Sequence, residues 1–158
     1  MTPSERLCMS IIFNSSLIAL NVVCQTPEQV IEKSGQLLFD AKLCSADYIT
    51  AMKQVYHEYG AYIVLDHGIA MPHARPDRGV LANGFSIMTL AQPVSFGHPE
   101  FDPVHVVISI ASRQSSSHLT MIQLIANLIE QGIVNVAMQA TTQKCLFDFI
   151  HPLITEEK

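Results

Sequence analysis

The chain has 158 residues, 49% of them hydrophobic and 15% charged, with a formal net charge of −5. That length suits one domain spanning residues 1–158, with a core large enough to stand without disulfide or metal staples. The acidic balance lacks the basic footprint of a nucleic-acid binder, and no apolar run reaches the length of a bilayer span, so direct membrane insertion is not expected.

In chain order, the stretch from Cys8 to Phe13 has no basic flank and is interrupted by Asn14, Ser15 and Ser16, which argues against a signal peptide. Leu17 to Val23 is apolar and partly β-branched and predicts a strand. In Thr26-Pro27-Glu28-Gln29, Thr26 caps a helix, Pro27 suits its first position and Gln29 completes a capping box. That helix is expected to reach about Leu43, with Val30, Ile31, Leu37, Leu38 and Ala41 inside. Ser45 opens a second helix through Ile49, Met52 and Tyr56, stopping at Gly60. Tyr62 to Leu65 predicts a short buried strand leading into Gly68–His73.

Phe85 to Ala91 predicts another strand, and Pro93 to Phe96 a short edge piece. Val104 to Ala111 is strongly β-branched and predicts a central strand. After a polar loop, Arg113 to Ser117, a helix is expected from His118 to about Glu130, capped by Ser117 or a neighbouring serine. Its apolar positions, Leu119, Ile122, Ile125, Leu128 and Ile129, recur at helical spacing. Gly132 ends it, and two short helices follow, one around Val134–Gln139 and one after Thr141 through Phe149. This alternation predicts an α/β sandwich, a mixed β-sheet flanked by helices on both faces. Cys8, Cys24, Cys44 and Cys145 are scattered in apolar settings and are expected as free thiols in a reducing cytosol.

The chemistry concentrates in Gly68-Ile69-Ala70-Met71-Pro72-His73-Ala74-Arg75-Pro76. Imidazole is a nucleophile at neutral pH, and guanidinium binds phosphoryl groups well. Pro72 and Pro76 stiffen the backbone around His73. A rigid loop that offers a nucleophile and an anion binder points to phosphoryl chemistry, with a buried histidine in a turn as the alternative. Of the seven histidines, His118 is the second candidate. It follows a serine run at an expected helix start, where free N–H groups favour phosphate, so it can hydrogen-bond a phosphoryl group on His73. His98 and His105 read as turn and strand residues, and His57, His67 and His151 as surface residues. No HExxH, G-x-S-x-G or glycine-rich phosphate loop is present, so metal, serine-hydrolase and nucleotide-kinase chemistry are not expected. Ile69, Met71 and Phe96 are expected to offer apolar contact area to partners, the alternative being that they are core.

Tyr62-Ile63-Val64-Leu65, the Gly68–Pro76 run, Gly84-Phe85-Ser86, Phe101-Asp102-Pro103-Val104 and Ser117-His118 occur in this order. In them, from about residue 5 to 151, the chain resembles the enzyme IIA domain of the bacterial sugar phosphotransferase system. Within the mannitol/fructose superfamily, it looks most like the branch with ascorbate-specific and cryptic mannitol-type members. The resemblance implies a cytoplasmic phosphocarrier that needs no cofactor. His73 would take phosphate on Nε2 from phospho-HPr and pass it to an enzyme IIB of a membrane permease for an ascorbate- or mannitol-like sugar. His118 would stabilise the phosphorylated state. Mannitol-type members carry an active-site arginine upstream, where this chain has Tyr56-His57-Glu58-Tyr59. Arg75 is the expected substitute cation, with Ser117 as a further phosphate ligand. The chain also has Asp66-His67 where relatives tend to have Ala-Pro, and Gln114-Ser115-Ser116 where they tend to have acidic residues. A phosphorylation-dependent regulatory module and, behind it, a metal-dependent hydrolase are the alternatives from other classes. Homodimerisation is left open.

Overall fold

The computed structural model describes residues 11–155, so the expectations for Cys8 and for the start of the N-terminal stretch lie outside it. The first strand, β1, is Ile18–Val22, entered through a 3-10 turn at Ser15–Leu17. Helix α1 covers Pro27–Asp40 and begins as expected, with the Gln29 N–H donating to the Thr26 hydroxyl at 3.2 Å. The Gln29 side chain, however, accepts from Gln25 N–H, not from the cap residue itself. The helix stops short of Leu43 because Lys42 takes a φ of 65°. Lys42 N–H then donates to Phe39 O and Leu43 N–H to Leu38 O, both at 2.9 Å. This is a Schellman ending with lysine in the place glycine usually takes.

Helix α2 is Ala46–Tyr59, ended by Gly60 at a φ of 72°. The segment read as a strand from Tyr62 divides. Gly60–Ile63 coils into a 3-10 turn that leaves Tyr62 exposed, and only Val64–Asp66 forms strand β2. A tight turn through Gly68 leads to β3, Ile69–Ala70. Strand β4 runs Gly84–Val94 and absorbs Pro93, which falls where its register with β5, Val104–Ala111, shifts. A residue without an N–H is tolerated where the ladder is already interrupted.

Helix α3 is Ser115–Glu130 and begins before His118, because Gln114 is the cap. Helices α4, Ile133–Gln139, and α5, Gln143–Thr155, follow. Among the described residues no single helix is long and apolar enough to cross a membrane. The bent pair α3–α4 has the length and apolarity together, but Met121, Ile125, Leu128 and Ile133 are buried in the core.

The sheet order is β1-β4-β5-β3-β2, with β1–β4 and β3–β5 parallel and β4–β5 and β2–β3 antiparallel. It is the mixed sheet expected, with helices on both faces. One core cluster joins α1 and α2 to the sheet through residues such as Val30, Ile31, Leu38, Met52, Met88 and Val107. The other joins α3, α4 and α5 to it through Ile87, Ile108, Ile110, Ile125, Leu128 and Leu146. Period-2 alternation along β4 and β5 supplies both faces.

The pairing of β3 with β5 sets the site. Ile69 opposes Val106 and Ala70 opposes Val107 in parallel, so both strands end at the same edge of the sheet. His73 follows the end of β3; Ser112 and the start of α3 follow the end of β5. Ile110 N–H donates to Pro72 O at 3.1 Å, and Met71 N–H to Ile63 O at 2.8 Å, so the loop is gripped from both sides. Buried Tyr48 of α2 adds a third hold: its hydroxyl donates to Ile110 O at 2.6 Å and accepts from Ala74 N–H at 3.0 Å. Tyr48→Phe leaves that carbonyl and N–H without this partner in the core. It is expected to cost about 1–3 kcal/mol of stability, read as a lower midpoint at unchanged slope in urea unfolding.

Candidate active site

The neutral imidazole of His73 has one proton to place. Its Nδ1 lies 2.8 Å from the Met71 carbonyl oxygen. A carbonyl can only accept, so Nδ1 carries the proton and Nε2 keeps its lone pair. Nε2 in turn lies 3.2 Å from the Tyr62 hydroxyl, which therefore donates to it. Burial of the ring pulls the His73 pKa below its ordinary 6.5, against a smaller opposite effect of the Met71 hydrogen bond. Charging a ring that has lost much of its water costs more than charging a solvated one. The resting state is the uncharged imidazole with its Nε2 lone pair free of a proton.

His118 projects from the first turns of α3, and its ring centroid is 5.1 Å from that of His73. Its Nδ1 lies 3.2 Å from the Ser112 hydroxyl. A hydroxyl can donate or accept; in the tautomer where Ser112 donates, the His118 proton sits on Nε2 and is available to an anion. Burial, and then repulsion from His73, also push the His118 pKa down. The two rings share a cleft of about 440 Å³ lined by Val55, Tyr59, Tyr62, Ala74, Arg75, Pro76 and Ser115 besides the histidines.

The other expected ligands are placed differently. Arg75 lines the cleft, but its guanidinium grips the Asp77 carboxylate, with Nη2 at 2.7 Å and Nε at 3.3 Å. Its side chain is 77% exposed, so its charge is largely spent on Asp77 and on water. Ser117 does not line the cleft. Its hydroxyl donates to Gln114 O at 2.9 Å and accepts from Gln114 N–H at 3.1 Å, so it serves the cap of α3. Ser115, two residues earlier, lines the cleft instead. Ile69, Met71 and Phe96 are core, all at most 3% exposed, and offer no partner surface. Exposed apolar area near the cleft comes from Tyr59 and Tyr62. Tyr59 belongs to the segment where mannitol-type relatives were expected to carry arginine.

His98 orders its own turn, with Nδ1 accepting from Glu100 and Phe101 N–H at 3.0 Å each. His57 faces Glu28 at 3.6 Å on the surface. Among the described residues no three His, Cys, Asp or Glu side chains cluster as a metal site. Cys24 and Cys44 are buried free thiols, and Cys145 is an exposed one. The residues that sequence reasoning missed are Tyr62, Tyr59, Ser112 and Ser115. Tyr62 carried a usable signal: it opens the apolar run Tyr62–Leu65 that leads towards the histidine loop.

Residues 11–152 match the family model described as "Phosphoenolpyruvate-dependent sugar phosphotransferase system, EIIA 2". An ascorbate-specific phosphotransferase-system EIIA component of Escherichia coli K12 is 34% identical over 114 residues, covering 72% of this chain and 74% of that protein. The solution structure of the mannitol-specific cryptic enzyme IIA CmtB from Escherichia coli aligns with a TM-score of 0.79 at 32% identity, covering 89% of this chain and 95% of that one. Mannitol enzyme IIA of Escherichia coli, solved in complex with phosphorylated mannitol enzyme IIB, shares the fold with a TM-score of 0.79 at 22% identity, covering 94% and 100% of the two chains.

Because both folded-state pKa values lie below 6.5, the two rings favour the neutral form more than the unfolded chain does. Their contribution to stability is therefore complete above pH 6.5 and is lost as pH falls from there through the lowered values. Proton NMR titration is expected to place both midpoints below 6.5, with unfolding free energy declining across that acid window.

Proposed function

The chain belongs to the EIIA 2 family of the phosphoenolpyruvate-dependent sugar phosphotransferase system, and on that premise we propose that Nε2 of His73 is the atom that carries its phosphoryl group. The protein is a phosphocarrier in a sugar-uptake relay, taking phosphate from phospho-HPr and passing it to an enzyme IIB. One observation supports the site above the others: the Met71 carbonyl holds the proton on Nδ1, leaving a lone pair on Nε2 in the cleft.

The step balances without a proton transfer. The Nε2 lone pair attacks phosphorus, and the bond from phosphorus to the donor breaks, its electron pair staying with the donor. The ring, still protonated at Nδ1, gains positive charge, which the Met71 carbonyl and the phosphoryl group itself offset. The phosphoryl group brings close to two negative charges. His118, from the partially positive N-terminal region of α3, donates to it. Transfer to enzyme IIB reverses the step, and the electron pair of the N–P bond returns to the ring. The group arrives already activated, so the chemistry is positioning and electrostatics, as in other phosphoryl transfers.

Two relatives above 30% identity support an ascorbate- or mannitol-like sugar for the permease served. Enzyme IIA itself need not touch the sugar. The family role also supports a cytoplasmic location for the chain.

Incubation with radiolabelled phosphoenolpyruvate, enzyme I and HPr should give an acid-labile, base-stable label that is absent from His73→Ala. Label retained in that variant would refute the assignment. His118→Ala should accept phosphate but pass it on about tenfold more slowly or worse, as expected for one lost charge-assisted hydrogen bond. Arg75→Ala should slow uptake only about two- to fivefold, in keeping with an exposed and already paired guanidinium, and should leave the unfolding midpoint unchanged.

A further inference from the structure

The hydroxyl of Tyr62 occupies the approach to the reacting atom. It lies 3.2 Å from His73 Nε2, and the two rings meet edge to face at 5.9 Å. Tyr59 also meets the Tyr62 ring edge to face, at 5.8 Å. The Tyr62 side chain stands on the 3-10 turn Gly60–Ile63, half exposed at the mouth of the cleft. Partial burial pushes its pKa above the ordinary 10.0, so the phenol is a protonated donor at neutral pH.

The Met71 carbonyl dictates the direction of this contact. Since Nδ1 must donate to it, Nε2 has no proton, and the Tyr62–His73 hydrogen bond runs from oxygen to nitrogen. Once phosphorus is bonded to Nε2, the lone pair that accepted this hydrogen bond is gone. The resting contact and the phosphorylated state therefore exclude each other. The displaced O–H needs an acceptor, and the phosphoryl oxygens are two bonds beyond the atom it has just left.

We propose that Tyr62 is a catalytic residue of the relay: its hydroxyl caps Nε2 in the unphosphorylated protein and turns onto a phosphoryl oxygen when the group arrives. This rests on the phosphocarrier reading above. It also addresses a charge problem in the cleft. The guanidinium of Arg75 is bound to Asp77, and both histidines favour their neutral forms. The charge that the His73 ring gains on phosphorylation offsets only part of the dianion, and Tyr62 adds to His118 as a second side-chain donor. A hydrogen bond to a charged oxygen is stronger than the neutral one it replaces, so the exchange favours the phosphorylated state.

Tyr62→Phe removes the hydroxyl and keeps the ring, on a side chain exposed enough that the core is untouched. The discriminating readout is an equilibrium, because lost docking contacts change rates but not the position of phosphoryl exchange between HPr and this chain. With phospho-HPr and HPr held at fixed ratio, the phosphorylated-to-free ratio of His73 is expected to fall roughly tenfold in the variant. Nitrogen NMR of the unphosphorylated, isotope-labelled protein is expected to show the His73 Nε2 signal moving downfield as its lone pair loses a donor. A phosphorylated-to-free ratio within about twofold of wild type would overturn the proposal while leaving the phosphocarrier reading intact, as would an unmoved Nε2 signal. Wild-type protein that takes no label from an active donor system would overturn the phosphocarrier reading, and the proposal with it, even if the Nε2 signal moved.

Discussion

The parallel pairing of β3 with β5 is the constraint on which the site depends. Two residues of β3 are enough: Ile69 against Val106 and Ala70 against Val107. Parallel strands send their following segments out at the same edge. The histidine loop leaves β3 there, and Ser112 and α3 leave β5 there. The rings of His73 and His118 come within 5.1 Å between centroids although they are far apart in the chain. The turn before β3 is part of the same device: Gly68, at a φ of 79°, lets its carbonyl accept from both His105 and Val106 N–H. A side chain there would be strained by that φ and would press on the His105 ring, 3.3 Å from where its Cβ would sit. Holding so short a strand in register takes these added bonds.

Proton placement decides the chemistry of the edge so built. A backbone carbonyl two residues before His73 selects the tautomer, and burial keeps the ring uncharged. The same burial that keeps the proposed nucleophile uncharged also withholds positive charge from the cleft before transfer. The cation that the motif offered, Arg75, sits next to Asp77 in space as well as nearly so in sequence, and the pair is exposed. Before the proposed transfer, what faces an incoming anion is a set of neutral donors and the start of α3. Such a set acts through preorganisation more than through net charge. The grip of Tyr48 and Ile110 on the loop matters for that reason, since dipoles are useful only when held in place.

Much of the architecture was legible in the sequence because hydrophobic period and cap chemistry are local. Thr26, Pro27 and Ser45 mark helix starts, and the apolar runs at β4 and β5 mark strands. The errors have local causes of another kind. Lys42 adopts a left-handed conformation that a lysine does not advertise, so α1 ends earlier than its periodicity suggests. Gln114 caps α3 and draws the Ser117 hydroxyl into the cap, so the serine adjacent to the key histidine is not the one in the cleft. Tyr62 reads as a strand residue by composition, but the chain after Gly60 coils and turns it outward. Ile69, Met71 and Phe96 look apolar enough for a partner surface, and the core takes all three.

The sequence by itself determined the helices and strands, the two-faced sheet and the histidine loop, because each rests on side-chain chemistry within a few residues. It also carried His73 and His118 in the order on which the resemblance rested. Only the tertiary structure decided which neighbours those histidines have. The Met71 carbonyl on Nδ1, the Tyr62 hydroxyl on Nε2, the Ser112 hydroxyl on His118 and the capture of Arg75 by Asp77 are matters of position and direction. Hydrogen bonds depend on where an acceptor points to within fractions of an ångström, and residue type and spacing leave that direction undetermined until the sheet has brought its edges together.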